Sequence, residues 1–285
     1  MRVDTFPAAG SKVQASEFLI TSGGQAGNAA VAVARLGAQC SYIGALGDTD
    51  DEVANTIART FAGEGIDISR ALRVKGARSS VSTIMIDKTG EKMIATRRDT
   101  GLSSATPADP DAAVAAIDAV LLDNRYANLS LPICLAAQKR GIPRVVDLDK
   151  PSPADDPLVM GSTHVISSAE AMRESTGEKD YGAALKKFAT VYKGFLAVTD
   201  GPAGVYWLDK GDVRHMDAFK VDAVDTLGAG DTFHGAFTYK LVESNDVVDA
   251  MRFAAAAAAL KCLHFGGLMG APTRAEVDAF LKKHR

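Results

Sequence analysis

The sequence is poor in cysteine, and the three cysteines that it has suggest no site. Cys40, Cys134 and Cys262 are far apart in the chain and form no CxxC pair. An odd number of widely spaced cysteines argues against both a disulfide framework and a zinc site, and it fits a reducing compartment.

Long apolar runs are also lacking. No stretch reaches the roughly 18 consecutive apolar residues that could cross a bilayer, and the opening residues MRVDTFPAAGSK lack the hydrophobic segment of a signal peptide. We therefore expect a soluble, cytoplasmic protein that does not contact a membrane.

Charge of one sign is not in strong excess, and aromatic residues are few. The formal net charge is −3, and aromatic residues make up 6% of the chain, with one tryptophan, Trp207. This charge gives no electrostatic reason to expect a nucleic-acid partner. The scarcity of aromatic rings gives little support for a pocket that stacks a nucleobase, so small-molecule partners are favoured.

The distribution of apolar residues predicts an α/β fold. The chain has 285 residues, of which 47% are apolar, enough for a sizeable core in one domain spanning residues 1–285. Apolar runs typical of buried strands lie at residues 40–43, 119–122, 144–148, 164–166 and 195–198. Helical patterns lie at residues 26–36, 50–63, 131–139, 181–190, 231–243, 247–262 and 274–283. Their alternation predicts a doubly wound, mostly parallel sheet with helices on both faces.

Two other segments predict a small antiparallel sheet. Residues 12–21 and 81–97 contain strand-like patterns, and DKTGE at residues 87–91 is a hairpin turn signal within the second. A sheet attached to the larger α/β body would suit a lid over a binding site. A doubly wound domain usually opens with a buried strand, whereas this chain opens with RVDTFP; we expect that first strand to lie upstream of this numbering.

The stretch VDTLGAGDTFHGAF, residues 224–237, is the most informative one. A helix that begins near Asp231 leaves backbone N–H groups unpaired at its positive end. Gly228 and Gly230 remove the side chains that would keep an anion from those groups. Asp231 could then take the proton of a hydroxyl that attacks phosphorus, which indicates phosphoryl transfer. The alternative is that Asp231 is only an N-cap and the glycines only a tight connection.

A second glycine turn occurs in SGGQAGNAAVAVARLG, residues 22–37. Gly23 and Gly24 lead into a helix of small residues, and Asn28 is the polar exception near its start. The Asn28 amide can both donate to and accept from a hydroxyl. The alternative is a glycine turn before a buried helix with Asn28 on its exposed side. The Walker pattern GxxxxGK[ST] and a GxGxxG turn after a strand are both absent, which excludes a P-loop enzyme and disfavours a nicotinamide binder.

Taken together, GGQAGNAAVAVARLGAQCSYIGALGDTD and DTLGAGDTFHGAF resemble the two signatures of the ribokinase-like (PfkB) carbohydrate kinases, and the resemblance extends over essentially the whole chain. It implies that Asp231 is the base that deprotonates a sugar hydroxyl. It also implies that the backbone of Gly228, Ala229 and Gly230 is the anion hole for the transferred phosphoryl group. Gly23, Gly24 and Asn28 match positions that contact the sugar.

The resemblance further implies ATP, Mg²⁺ and K⁺ as cofactors. AVTDGPAG, residues 197–204, matches the turn that holds ATP phosphates, with contacts at Thr199, Gly201 and Gly204. SSAE, residues 167–170, matches the family's NxxE element, of which only Glu170 carries over as a residue that positions magnesium. Asp225 matches an acid beside a monovalent cation, whose site would be completed by carbonyls near Lys261, Gly266 and Gly270.

The class of substrate is indicated only by the resemblance and by a few basic residues. The chain is most similar to the sulfofructose kinase and ketohexokinase branch, where Lys12 and Arg125 match basic positions at the far end of the sugar. These cations would suit a sulfonate or phosphate group, as would Arg97 and Arg98. The alternative for each is an ordinary surface charge, which is the favoured interpretation for Arg97 and Arg98. The implied function is ATP-dependent phosphorylation of a sugar hydroxyl. A nucleoside kinase of the same fold and a non-catalytic sugar sensor are the alternatives, and the lid strands predict a homodimer.

Overall fold

The structure is a computed structural model that describes residues 1–284. The strands are β1 (Arg2–Val3), β2 (Ala15–Glu17), β3 (Ala45–Leu46), β4 (Leu72–Arg73), β5 (Val81–Ile86), β6 (Lys92–Arg97), β7 (Val120–Asp123), β8 (Arg144–Leu148), β9 (His164–Ser168), β10 (Phe195–Thr199), β11 (Val205–Asp209) and β12 (Asp212–Met216). The α-helices are α1 (Gln25–Arg35), α2 (Glu52–Gly63), α3 (Pro110–Val114), α4 (Ala127–Lys139), α5 (Pro157–Gly161), α6 (Ala169–Thr176), α7 (Tyr181–Phe188), α8 (Ala229–Ser244), α9 (Val247–Cys262) and α10 (Arg274–Lys283).

The main sheet has six strands in the order β12-β11-β10-β9-β8-β7. Strands β7 to β10 are parallel to one another, and β11 and β12 continue the sheet as an antiparallel pair. Because parallel strands run in the same direction, the carboxyl ends of β7 to β10 meet at one edge. This edge positions the site described below.

Helices cover both faces of this sheet. Val145, Ile166 and Ala197 pack on one side against the cluster that contains α8 and α9. Their neighbours Val146 and Val165 pack on the other side, with α4 to α7. Successive side chains of a strand point to opposite faces, so a strand buried on both sides is a continuous apolar run. The predicted mostly parallel α/β fold is confirmed.

A second, smaller sheet has the order β2-β1-β5-β6. β5 and β6 form an antiparallel hairpin, with Val81 opposite Arg97 and Ile86 opposite Lys92. Asp87 closes the turn, because its Oδ1 accepts the backbone N–H of Thr89 at 2.8 Å. β1 pairs in antiparallel fashion with β2 and in parallel fashion with β5. The small sheet expected beside the main body is therefore present, with β1 added to it.

The buried strand predicted at residues 40–43 is wrong. Those residues make a single bridge between Ser41 and Asp67, and the short strand β3 lies further along and pairs with β4. The apolar run is only half-buried, because no neighbouring strand extends alongside it. Within residues 1–284, no helix is both long enough and apolar enough to cross a membrane.

Candidate active site

The start of α8 lies at the carboxyl edge of the main sheet and carries the central carboxylate. Gly228 precedes the helix with φ 78°, in the left-handed region that glycine adopts without strain. The helix begins at Ala229, two residues before the predicted start, so Asp231 lies in its first turn. A side-chain carbon placed on Gly230 would have nothing within 4 Å. The backbone of this turn is therefore open to an approaching group.

Asp231 is held by Asn28 from the other glycine turn. Asn28 Nδ2 donates to Asp231 Oδ2 at 2.5 Å. Burial raises the pKa of the Asp231 carboxyl above its ordinary value, and the hydrogen bond from Asn28 opposes that rise. The arrangement is a partly desolvated carboxylate with a fixed orientation.

Asn28 is buried rather than exposed, and one of its atoms has no partner. Its side chain lies beside the turn of Gly23 and Gly24, where Gly24 has φ 85° and precedes α1. Asn28 Oδ1 is buried and accepts no hydrogen bond within residues 1–284. Buried polar atoms are nearly always paired, so this oxygen is an acceptor available to a ligand. The alternative in which Asn28 lies on the exposed side of a helix is wrong.

Arg125 lies in a polar network next to this pair. Its Nε donates to Gln25 Oε1, and its terminal nitrogen donates to Asp149 Oδ2 at 2.8 Å. Gln25 in turn donates from Nε2 to Asp147 Oδ2 at 3.1 Å. The network therefore links the loops after β7 and β8 to the first residue of α1.

His234 connects the first turn of α8 to the main sheet. Its Nδ1 lies 2.7 Å from the carbonyl oxygen of Gly230, and its Nε2 lies 3.2 Å from that of Ile166. Asp147 Oδ1 is 3.5 Å from the same Nε2. Burial raises the pKa of Asp147 to about 7, and the neighbouring His234 opposes the rise. His234 thus holds the Gly230 peptide, which belongs to the glycine turn, in a fixed position.

The residues matched to the ATP site lie at the ends of β9 and β10. Thr199 ends β10, and its Oγ1 lies 3.5 Å from Ser167 O on β9. Gly201 follows with φ 44°, and Gly204 has φ 88°. A side-chain carbon on Gly204 would lie 2.1 Å from Met216 O, so only glycine fits there. Glu170 is exposed in the first turn of α6.

Asp225 lies under the glycine turn and is nearly inaccessible to solvent. Its Oδ1 accepts the Leu227 N–H at 2.8 Å, and its Oδ2 accepts the Gly266 N–H at 3.0 Å. The Lys261 ammonium donates to the Asp225 backbone carbonyl at 2.7 Å. Burial alone would raise the pKa of Asp225, but these N–H groups and the ammonium hold it below its ordinary value. A side-chain carbon on Gly270 would lie 2.9 Å from Lys261 O, so this turn is tightly packed.

A family model for pfkB family carbohydrate kinases matches residues 1–274 of the chain. The chain belongs to this family. The family and the enzyme class predicted from the two glycine motifs, an ATP-dependent carbohydrate kinase, are thereby confirmed.

Several known ribokinases are similar to this kinase over nearly the full length of both chains. Ribokinase of Haemophilus influenzae is 32% identical over 296 residues, which cover 98% of this kinase and 94% of that protein. A crystal structure provisionally described as a ribokinase from Agrobacterium tumefaciens has 38% identity and a TM-score of 0.94, with 99% of this kinase and 93% of that chain covered. A ribokinase of Arabidopsis thaliana complexed with ribose and ATP shares the fold, with a TM-score of 0.83 at 24% identity, covering 99% and 94%. These relatives do not test the finer resemblance to the sulfofructose kinase and ketohexokinase branch, which stays a prediction.

The tertiary structure of this kinase sorts the residues singled out in the sequence. It brings Asn28, Asp231 and the glycine turns together and places Arg125 beside them, whereas Lys12 is exposed on the loop between β1 and β2. Sequence reasoning missed four polar residues of the cluster: Gln25, Asp147, Asp149 and His234. The DLD sequence at residues 147–149 was the available signal, because acids at the carboxyl end of a buried parallel strand face the ligand crevice.

Proposed function

We propose that this kinase transfers the γ-phosphoryl group of ATP to a hydroxyl of a furanose or ketose, with Asp231 as the general base. The single observation that carries the proposal is the Asp231 carboxylate held by Asn28 in the first turn of α8. A base in that position takes the proton as the sugar oxygen attacks phosphorus. Such a base typically contributes ~10²–10⁴-fold to the rate.

The turn of Gly228, Ala229 and Gly230 is proposed to stabilise the transferred group. The amino end of a helix carries partial positive charge and directs N–H groups outward. Gly230 has no side chain, and the position that a side-chain carbon would occupy has no atom within 4 Å. A phosphoryl group can therefore approach that backbone closely. Negative charge that develops on the phosphoryl oxygens would be stabilised there, which is the main task of an enzyme that transfers phosphate.

The sugar is proposed to bind between the two glycine turns. The unpartnered Asn28 Oδ1 would accept a hydrogen bond from a sugar hydroxyl, so that one amide orients both the substrate and the base. Gly23 and Gly24 leave room for the sugar above α1. The network of Arg125, Gln25 and Asp149 would contact further hydroxyls.

The charges around Arg125 favour a neutral sugar as the first candidate. Its guanidinium already donates to Gln25 and to the Asp149 carboxylate. An anionic substituent would have to compete with that ion pair. A sulfonate or phosphate on the sugar remains a specific variant of the proposal, with Arg125 and the exposed Lys12 as its partners.

ATP is proposed to lie along the ends of β9 and β10, against Thr199, Gly201 and Gly204. The Arabidopsis ribokinase, which was determined with ATP, has the same fold. Within residues 1–284, no three His, Cys, Asp or Glu side chains could hold a metal ion by themselves. This suits a Mg²⁺ ion held chiefly by phosphates and water, to which Glu170 would add a carboxylate. The ion would neutralise phosphate charge during transfer.

The small sheet is proposed to form a homodimer and a lid. The segment after β2 exposes 67% of Phe18 and 76% of Ile20, and β6 exposes 53% of Ile94. Apolar side chains on a small sheet are unfavourable in water. A second copy of the same sheet would cover them, and would steady the hairpin over the sugar site.

The deciding experiment measures ADP release with MgATP over a panel of acceptors: ribose, fructose, sulfofructose, fructose phosphates, 2-keto-3-deoxygluconate and adenosine. Each acceptor is tested with the wild type, with Asp231→Asn, and with Asp222→Asn, an exposed acid on the same segment. We expect the wild type to phosphorylate one sugar, and we expect Asp231→Asn to lose at least ~10²-fold in turnover of that sugar. Asp222→Asn should keep the turnover of the wild type.

The alternatives give different results in the same panel. Turnover on adenosine alone would indicate a nucleoside kinase, for which the buried Trp207 offers no stacking surface. Saturable sugar binding without turnover would indicate a sensor. Full activity of Asp231→Asn would refute the assignment of the base.

A further inference from the structure

Lys261 is a charged side chain that is completely buried. Lys261 lies near the carboxyl end of α9, and the exposed fraction of this residue is 0%. Its Nζ donates to Asp225 O at 2.7 Å and lies 3.7 Å from Asp225 Oδ2. A buried ammonium is costly unless it is paired and hydrogen-bonded, so this one is held in a specific position.

The groups around Asp225 do not fit a bound monovalent cation. Besides the ammonium, the side-chain oxygens face the backbone N–H groups of Leu227, Gly266 and Gly267, the last at 3.3 Å from Oδ2. N–H groups carry partial positive charge and repel a metal ion, which needs converging oxygen atoms. The carbonyls of Lys261 and Gly266 already accept the N–H groups of residues 264 and 269 at 3.1 and 3.2 Å.

Further positive charge surrounds the same segment. The Arg2 guanidinium donates to Val224 O at 3.2 Å, and the Lys92 ammonium donates to Thr226 Oγ1 at 2.7 Å. Both residues belong to the small sheet. A second cation placed next to Asp225 would therefore be repelled by the Lys261 ammonium, and Arg2 and Lys92 bind the residues on either side of Asp225.

We propose that the Lys261 ammonium is a built-in cation that makes this kinase independent of potassium. The Asp225 carboxylate fixes the Leu227 N–H, and Gly228, the first residue of the proposed anion hole, follows directly. An ammonium bound to Asp225 therefore holds this turn in place, as a bound metal ion would. Lys261 is a positioning residue, because it acts on the phosphoryl group through the turn. The activity part of this inference rests on the proposed kinase function; the ion-binding part does not.

The first test compares the wild type in potassium, sodium and choline chloride at equal ionic strength. We expect turnover in the three salts to agree within about twofold, and we expect the same midpoint of thermal unfolding. Equilibrium dialysis with rubidium, a probe that resembles potassium, should show no saturable retention above the choline background. Saturable potassium activation of about fivefold or more, or one rubidium ion retained per chain, would overturn the proposal.

Two substitutions test whether the ammonium itself is needed. Lys261→Ala removes the charge and leaves space, whereas Lys261→Met removes the charge and keeps most of the volume. We expect both to lose about tenfold or more in turnover, and potassium but not choline to restore activity only in Lys261→Ala. Full activity of Lys261→Ala without potassium would contradict the proposal.

The outcomes remain separable if a variant fails to fold or if the proposed function fails. Where both variants unfold, dialysis and thermal unfolding of the wild type still decide, because neither uses a variant. Where no sugar is turned over, the function is refuted, yet rubidium retention still shows whether Asp225 holds an ion or only Lys261.

Discussion

Asn28 and Asp231 lie 203 residues apart in the chain and are joined by a hydrogen bond of 2.5 Å from Nδ2 to Oδ2. The contact connects the first helix to the eighth and brings the two glycine motifs into one site. Because the amide nitrogen of Asn28 donates to the carboxylate, the amide oxygen Oδ1 is left without a partner among the described residues. In the proposed mechanism, the pair would couple the orientation of the substrate to the ionisation of the base.

This coupling predicts a shift in the pH–rate profile. A base must be ionised, so kcat rises with pH through the pKa of Asp231, which burial places above the ordinary range. Asn28→Ala removes a hydrogen bond that stabilises the carboxylate, so the acidic limb should move to higher pH. The measurement is log kcat against pH, with Asn128→Ala, exposed on α4, as control. A limb that does not move would show that Asn28 does not act on Asp231.

The glycine turn predicts different effects for its two glycines. At Gly228 an alanine would be strained by roughly 1–2 kcal/mol at positive φ, and its Cβ would lie 3.2 Å from Asn28 Nδ2. We expect Gly228→Ala to lower both stability and kcat. Gly230→Ala has open space and lies in a helix, so stability should stay equal or rise by up to about 1 kcal/mol.

The turnover of these two variants shows whether the glycine turn is an anion hole or only a tight connection between two elements. Gly230→Ala puts a methyl group where the phosphoryl group is proposed to approach, so kcat should fall about tenfold or more although the fold is intact. Urea unfolding and ADP release measure the two effects. Unchanged turnover in Gly230→Ala would indicate that the turn serves only to connect two elements.

Asp147 predicts a pH dependence of stability. Burial raises the pKa of Asp147 to about 7 in the folded state, well above the ordinary value of an aspartate, about 3.9, so the folded state binds this proton more tightly than the unfolded state. Stability contributed by this group is therefore greatest at low pH and falls as pH rises from about 4 to about 7. Asp147→Asn should remove this dependence on pH, whose total over that range is on the order of 1–4 kcal/mol of unfolding free energy.

Urea unfolding between pH 5 and pH 8 checks this sign. Four other titratable groups lie near Asp147: His234, Asp231, Asp149 and Asp123. Asp155→Asn, a change at an exposed acid outside this network, serves as the matched control, and its stability should change with pH as that of the wild type does. A wild type whose stability rises over this interval, with Asp147→Asn following it, would contradict the prediction.

The small sheet predicts a concentration-dependent dimer. Ile94 is more than half exposed on β6, opposite Ile84. Ile94→Lys puts a charge into the proposed interface, so we expect light scattering at micromolar concentration to find a dimer for the wild type and a monomer for the variant. Met160→Lys, an exposed apolar residue on α5, should remain dimeric. A monomeric wild type would refute the assembly.

Local patterns in the sequence were sufficient to predict the main sheet and its helices. Strands buried on both faces must be continuously apolar, so β8, β9 and β10 were recognisable one by one. The ends of the helices were predicted less accurately. The helix predicted at residues 131–139 begins four residues earlier, at Ala127, because Pro132 is accommodated inside α4. Residues 40–43 have the apolar pattern of a strand, but no strand pairs with them beyond the single bridge of Ser41 and Asp67. Strand pairing depends on the tertiary fold, which this local pattern does not encode.

The candidate active site also contains some residues that the sequence predicts and others that it does not. The sequence by itself determined the two glycine turns, with Asp231 and Asn28, because turn geometry and helix-start chemistry depend on neighbouring residues. Only the tertiary structure placed Gln25, Asp147, Asp149 and His234 around them, since they come from three segments that are far apart in the chain: the start of α1, the end of β8 and the first turns of α8. It also decided that the side chain of Lys261, and not only its backbone, faces Asp225. Burial and charge pairing depend on which distant segments pack together, and residue spacing does not encode that.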